Sequence, residues 1–549
     1  MHDAENTGLI SHWSALYGAT FVYRGFIGGP RLMTTDPVAI AHILANAYEY
    51  PKPDFVRDSL ASMAAGHEGL LTVEGEQHRR QRRILAPAFG KVQIGCLEPV
   101  FWDKATKLRD IWLEQANTQE DMDAKCPRID VLSWLARATL DVIGEAGFGY
   151  DFDALSSHAS AHPQNETHNE LAAAFGVIFS TARKFRVMTI LQVWFPVLRR
   201  FRRNSATMVQ AHATMERIGL DLIEQKCAQI LAEESFSSDT CKQSSSGAGT
   251  SRGRDLLRLL IRSNLASATP PSKPTTNPPS GKHHPGMSTR EVLCQISTFI
   301  AAGHETTASA LTWCLYALAR APHAQSKLRA VLRSLEHGGT PEGEDNRQNA
   351  AVGGMGGRDS LGTWGDREAR EKDLGDKLKG CEYLDWVVRE ALRLHAPVSS
   401  TMRVCARPGG DEIPLSVPIP FPAKCASASS HAVGVDGEQG ERWSVRVAEG
   451  DIISIPIQAV NRCKSLWGDD AGEFRPERWA DPPPAAHTIP GLMSGTLTFL
   501  NSNGSVSAGN RACIGWRFAL VEIKIFLYTL VMDMEFRLDE DMIIEKRIK

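Results

Sequence analysis

Apolar residues recur at helical spacing along most of the chain, and stretches of strict alternation are few and short. Asp36-Pro37 opens one helix, with a side-chain acceptor at the N-cap and proline in the first turn. Val38, Ile40, Ala41, Ile43, Leu44 and Ala45 then give it a broad apolar surface. A second helix runs from Val131 to about Ala146, before Gly147-Phe148-Gly149 breaks it. The longest starts at Ser288-Thr289-Arg290-Glu291, a capping box in which serine and glutamate each satisfy a free backbone N–H. It continues without proline to about Arg320, a span of about 48 Å at the usual helical rise. Between Ile296 and Ala302 it is apolar nearly all round, as suits a helix buried at the centre of a domain. Strand patterns are confined to Thr20–Tyr23, Ser444–Val447 and Ile452–Ile457. The prediction is a mainly α fold with small β-sheets.

Residues 235–253, 267–287, 337–376 and 418–440 depart from this pattern, being rich in Ser, Gly, Pro or charge and poor in apolar periodicity. Such composition buries too little apolar surface to offset the entropy of ordering, so these are predicted disordered insertions. They interrupt one domain spanning 1–549 rather than divide it, because the motifs that carry chemistry lie on both sides of them. No stretch reaches about 18 consecutive apolar residues, and Met1 to Asn6 lacks the basic and apolar regions of a signal peptide. Val187–Leu198, flanked by Lys184 and Arg186 and by Arg199, Arg200, Arg202 and Arg203, has two readings. It is either a buried helix with a solvated basic end or a peripheral membrane contact.

Composition narrows the function without naming it. With 42% hydrophobic residues in 549, disorder and collagen are excluded. Sixty-one basic against 64 acidic residues give a net charge of −3, which implies no nucleic-acid partner. Eleven cysteines at irregular spacing are no disulfide framework, so a reducing compartment follows and a special cysteine would be a ligand or nucleophile.

Three motifs carry the chemistry. Ala301-Ala302-Gly303-His304-Glu305-Thr306-Thr307 places a glycine, an acid and two threonines inside the central helix, where glycine costs up to about 1 kcal/mol relative to alanine. Small residues there let a flat ligand approach the backbone, and a threonine hydroxyl bonding back into the turn can open the ladder to water. Glu390-Ala391-Leu392-Arg393 puts a carboxylate and a guanidinium on one helix face, and Arg478 in Phe474–Trp479 can make the pair a triad. Gly509-Asn510-Arg511-Ala512-Cys513-Ile514-Gly515 sets a cysteine just before a helix, where backbone N–H groups and Arg511 favour a thiolate. That thiolate could ligate a metal, attack an electrophile or simply be buried.

Taken in this order, the motifs resemble those of the cytochrome P450 family of haem-thiolate monooxygenases, in a eukaryotic, fungal-like style. Glu76 to Arg82 resembles the family's helix that meets the haem propionates, with His78 where tryptophan is more usual. The resemblance implies the P450 fold, with haem b between the long central helix and the cysteine loop. It implies Cys513 as the axial iron ligand, Thr306 and Glu305 as the proton-delivery pair, and Ala302 and Gly303 as residues beside the haem. His78, Arg82, Arg403 and Arg511 would partner the propionates, and Gly509 and Gly515 would shape the loop. Glu390, Arg393 and Arg478 would hold the haem side together as fold residues. Implied partners are an NADPH–cytochrome P450 reductase, since the sequence has no flavin or nicotinamide motif, and a lipophilic small molecule. Family analogy places the protein on the cytosolic face of the endoplasmic reticulum membrane, with the cytoplasm as the alternative. A haem-thiolate isomerase or dehydratase and a non-catalytic haem-binding paralogue are the other readings.

Against the family pattern, Val506 stands where phenylalanine is usual, and Phe499, 14 positions before Cys513, resembles the displaced residue. Residues 501–508 therefore read as an insertion in the cysteine loop. The chain is also expected to lack the family's N-terminal anchor and its C-terminal β-hairpin, ending 36 residues after Cys513.

Overall fold

The computed structural model describes residues 7–25, 28–64, 66–118, 128–156, 170–182, 206–239, 255–268, 286–337, 364–420, 441–493, 495–500 and 511–539. The longer helices come in the order α1 (Thr7–Tyr17), α2 (Pro37–Ala45), α3 (Asp54–Met63), α4 (Gly75–Leu85), α5 (Lys91–Thr118), α6 (Val131–Phe148) and α7 (Glu170–Ala182). They continue with α8 (Ala206–Asp239), α9 (Leu256–Ala268), α10 (Thr289–Arg320), α11 (Pro322–His337), α12 (Trp364–Gly380), α13 (Glu382–Leu394) and α14 (Trp516–Asp533). The strands are β1 (Thr20–Arg24), β2 (Pro30–Thr34), β3 (Thr401–Val404), β4 (Asp411–Pro420), β5 (Glu441–Val447) and β6 (Ile452–Ile455). One sheet has the order β1-β2-β6-β3, with β2 and β6 parallel and its other pairs antiparallel; β4 and β5 form a separate antiparallel pair.

The local signals act as predicted. Asp36 Oδ1 accepts the N–H groups of Val38 (2.8 Å) and Ala39 (3.1 Å), and its Oδ2 takes Ser416 N at 2.8 Å, so the cap of α2 also anchors β4. Ser288 Oγ accepts Glu291 N at 3.1 Å, while Glu291 Oε2 accepts Ser288 N at 2.9 Å. Glu291 Oε1 then receives Gln77 and Gln81 of α4, each at 3.0 Å, and Arg80. The cap of the central helix is thereby fastened to the helix that carries His78 and Arg82. α6 ends where Gly149 adopts φ +65°, a left-handed cap that glycine takes without strain.

The larger core is helical. Ile296, Ile300, Leu311 and Leu315 of α10 meet Leu135 and Val142 of α6 and Phe526 and Leu530 of α14. A second core joins Ile40 and Ile43 of α2 to Ile453 and Ile455 of β6 and to Trp467.

Several expectations shift. The strand expected over Ile452–Ile457 stops at Ile455, because Pro456 supplies no N–H and caps a short helix, Ile457–Asn461. β2, β3 and β4 were not legible: β4 carries Pro414, Pro418 and Pro420 across a register shift, and β3 buries a charged residue, Arg403. Helix α8 extends to Asp239, into the first predicted insertion, and α9 includes residues 267 and 268 of the second. Met287 at the end of that span is buried. His337 closes α11, and Trp364 to Asp376 of the third span are helical, as part of α12. The physical reason is local: Leu374 and Leu378, one turn apart, pack on the core, while Lys377–Asp373 (2.7 Å) and Lys379–Asp376 (2.9 Å) pair along the outside. Residues 418–420 belong to β4. Val187–Leu198, residues 240–253, 269–285, 338–363 and 421–440, residues 501–508 and Gly509 lie outside the described residues.

Candidate active site

The central helix turns two unlike faces to its surroundings. His304 is buried, its Nδ1 3.0 Å from the Ile300 carbonyl, and its own carbonyl accepts the Thr139 hydroxyl of α6 at 3.0 Å. On the other side Ala302 is exposed, although the six residues before it are buried, and Thr306, one turn later, is half-buried. An exposed alanine in the middle of an otherwise enclosed helix leaves this face of the helix open. Thr306 Oγ1 donates to the Ala302 carbonyl at 2.7 Å, the back-bond foreseen for this turn, while the helix remains continuous. Glu305 is half-buried beside it. At Gly303 a Cβ would lie 3.2 Å from Cγ1 and Cδ1 of Ile143, so its smallness lets α10 approach α6.

Cys513 is a second open position. It is exposed, yet protein encloses it at longer range, and this burial pushes the thiol pKa up. The Gly515 backbone N–H and the Arg82 charge pull the other way without prevailing, so the thiolate stabilisation expected from the helix start is outweighed by desolvation. The Cys513 N–H donates to the Phe499 carbonyl at 2.9 Å. Phe499 thus lies beside the cysteine despite the intervening segment, in keeping with its reading as the displaced phenylalanine. Phe89 links the two segments: its ring is 5.4 Å from that of Phe299, three residues before Ala302, and 3.8 Å from where a Gly515 Cβ would stand.

Cations gather around the same space. Arg403 on β3 is 2% exposed and donates to Thr401 Oγ1 (2.7 Å) and the Met402 carbonyl (2.8 Å); burial lowers its pKa to about 10. Arg511 donates to the Val73 carbonyl at 3.1 Å and pairs with Glu74, and burial with the Arg57 charge lowers it to about 10. Arg82 on α4 is also lowered by burial, against a partial pull upward from Cys513 and Tyr48. His78 is buried 3.3 Å from Tyr48 Oη, and burial, Arg82 and Lys52 hold its pKa down at about 3, so the ring is neutral. Lys52 and Tyr48 escaped the sequence reading; Tyr50-Pro51-Lys52-Pro53 has no motif that would have flagged them. Among the described residues the group is short of carboxylates, which suits a ligand that brings its own.

The Glu390 triad forms as expected, fully buried. Glu390 accepts Arg393 Nε (2.9 Å) and Nη2 (2.8 Å), Arg478 Nε (3.1 Å), Trp479 Nε1 (3.1 Å) and the Arg475 N–H (3.0 Å). Arg393 Nη1 also reaches the carbonyls of Asn461 (2.8 Å) and Ala471 (2.7 Å), tying α13 to the segment that leads to the cysteine loop.

Comparison with known proteins gives a consistent picture. The family model described as Cytochrome P450 matches residues 12–348 and 439–548. Cytochrome P450 monooxygenases 205 and 128 of Postia placenta are 38% and 36% identical over 536 and 541 residues. Each alignment covers 97% of this chain and 82% of the relative. Cytochrome P450 monooxygenase claQ of Ampulloclitocybe clavipes is 30% identical over 98% of this chain and 83% of its own length.

Proposed function

The chain belongs to the cytochrome P450 family, whose members use haem b at a thiolate–iron centre, and from that premise we propose how it works. It inserts one oxygen atom of O2 into a lipophilic small molecule and reduces the other to water. Two electrons come from NADPH through a separate reductase.

The observation that carries this reading is the open sulfur of Cys513, set with Arg82 and the Gly515 N–H and linked through Phe89 to the Ala302–Thr306 face. The residues present fit haem b. Cys513 would hold the iron, and Arg403, Arg511, Arg82 and the neutral His78 would meet the two carboxylates. Bound there, haem b supplies activation of O2, favoured by the electron-donating thiolate. Thr306 holds a hydroxyl proton against the Ala302 carbonyl, and Glu305 stands next to it as a carboxyl able to replenish that proton. The absence of any flavin or nicotinamide motif in the sequence supports a separate electron donor. No single helix among the described residues is long and apolar enough to cross a membrane. By family analogy we place the protein at the cytosolic face of the endoplasmic reticulum, to be checked by fractionation and carbonate extraction.

The test is a screen for lipophilic compounds that shift the haem spectrum, followed by turnover under 18O2 with a P450 reductase. The reading requires one 18O atom per product and dependence on both reductase and NADPH. Product that carries oxygen from water, or forms without reductase, contradicts it.

A further inference from the structure

We propose that Lys52 binds a carboxylate of the haem, as a third cation standing between Arg403 and Arg511. The inference rests on the haem reading above and adds a binding residue that lies in none of the motifs.

Two sets of contacts fix its position. Lys52 Nζ donates to the Leu71 carbonyl at 3.1 Å, and its backbone N–H reaches Glu74 Oε1 at 3.2 Å. Arg511 leans on the same short segment through the Val73 carbonyl and Glu74. On the other side, the Pro51 carbonyl accepts the Val404 N–H at 2.9 Å, which sets Lys52 one residue from a backbone bond to the strand carrying Arg403. Three segments distant in sequence therefore bring three cationic side chains to one place.

The charge balance there asks for an anion. Among the described residues Arg403 meets only a hydroxyl and a carbonyl, Glu74 is shared by Arg511 and the Lys52 backbone, and Arg57 has its own partner in Asp54. Burial and the charges of Arg511, Arg403 and Arg57 hold the Lys52 amine well below its ordinary pKa, and an entering anion would relieve that repulsion. An ammonium has three N–H donors, and the Leu71 carbonyl uses one. Burying several cations around one acid is costly without further negative charge. Haem b brings two carboxylates.

The experiment measures the rate at which the full-length protein loses its porphyrin to excess apoglobin, with wild type, Lys52→Met and Lys52→Arg. Each is loaded either with haem b or with its dimethyl ester, which has no free carboxylate. Losing one charge-assisted hydrogen bond should speed haem b loss by about tenfold in Lys52→Met. Lys52→Arg should stay near wild type, and with the ester all three should lose porphyrin at one rate. Should Lys52→Met fail to fold, Lys52→Gln takes its place. Unchanged haem b loss in the neutral variant overturns the proposal, and so does an acceleration that persists with the ester, since that would be support of the fold. Wild type that holds neither porphyrin would overturn the haem reading itself, a result distinct from both.

Discussion

Glu390→Gln is the sharpest test of how the haem side is held together. The substitution preserves shape while removing one negative charge that receives five donors from Arg393, Arg478, Trp479 and the Arg475 backbone. Glu390, Arg393 and Arg478 are all inaccessible to solvent, so water cannot compensate. Arg393 would lose its one counter-charge and keep backbone carbonyls, the Trp467 ring and a neutral amide, whereas Arg478 would keep Asp470 at 2.8 Å. Breaking a buried pair by removing one partner costs roughly 3–5 kcal/mol, a large fraction of the roughly 5–15 kcal/mol that stabilises a typical domain. Asp470→Asn is the graded control: its side chain is 27% exposed and serves Arg478 alone among the triad, so about 1–2 kcal/mol is expected. Urea unfolding followed by circular dichroism gives both values from the midpoint at unchanged slope. A Glu390→Gln cost below that of Asp470→Asn would refute the reasoning, because the buried carboxylate would then not be the hub.

Other outcomes follow from the same geometry. Thr306→Ala should raise hydrogen peroxide released per NADPH consumed while barely altering stability; unchanged coupling removes the hydroxyl from proton delivery. His78, held at about 3 in the folded haem-free chain, titrates near 6.5 when unfolded, so the unfolded state binds more protons between those values. Stability is therefore full above about pH 6.5 and is lost as pH falls toward 3, and His78→Gln should flatten that loss in urea midpoints. An equally steep loss in the variant would contradict the assignment. Gly303→Ala should cost about 1 kcal/mol, the crowding against Ile143 exceeding the gain in helix propensity, and in an Ile143→Ala background, which removes both crowding atoms, the same substitution should cost nothing further. An undiminished cost in that background would show that the contact is not limiting.

What could be read from the sequence was what short-range rules govern. The capping box, the uninterrupted central helix and the Glu390–Arg393 spacing depend on residues three or four apart, and each took its predicted form. α12 was missed because its outer surface is held by ion pairs and only Leu374 and Leu378 keep the helical period. β4 was missed because three prolines disguise a strand whose partner can do without their N–H groups. The reason for Gly303 depends on Ile143, 160 positions away in sequence, and the cationic role of Lys52 on segments 71–74, 403–404 and 511. No local pattern encodes such meetings. The cysteine loop lies between these cases: its motif was legible, but the balance of burial against the helix start, which raises the thiol pKa, depends on the whole fold.

The central claim is that the Cys513 sulfur is the protein's bond to iron. The reduced carbon monoxide difference spectrum of the haem-loaded chain tests it directly. Wild type should give the red-shifted band of a thiolate-ligated complex, and Cys513→Ser should lose it. A wild type without that band, or a serine variant that retains it, would contradict the account.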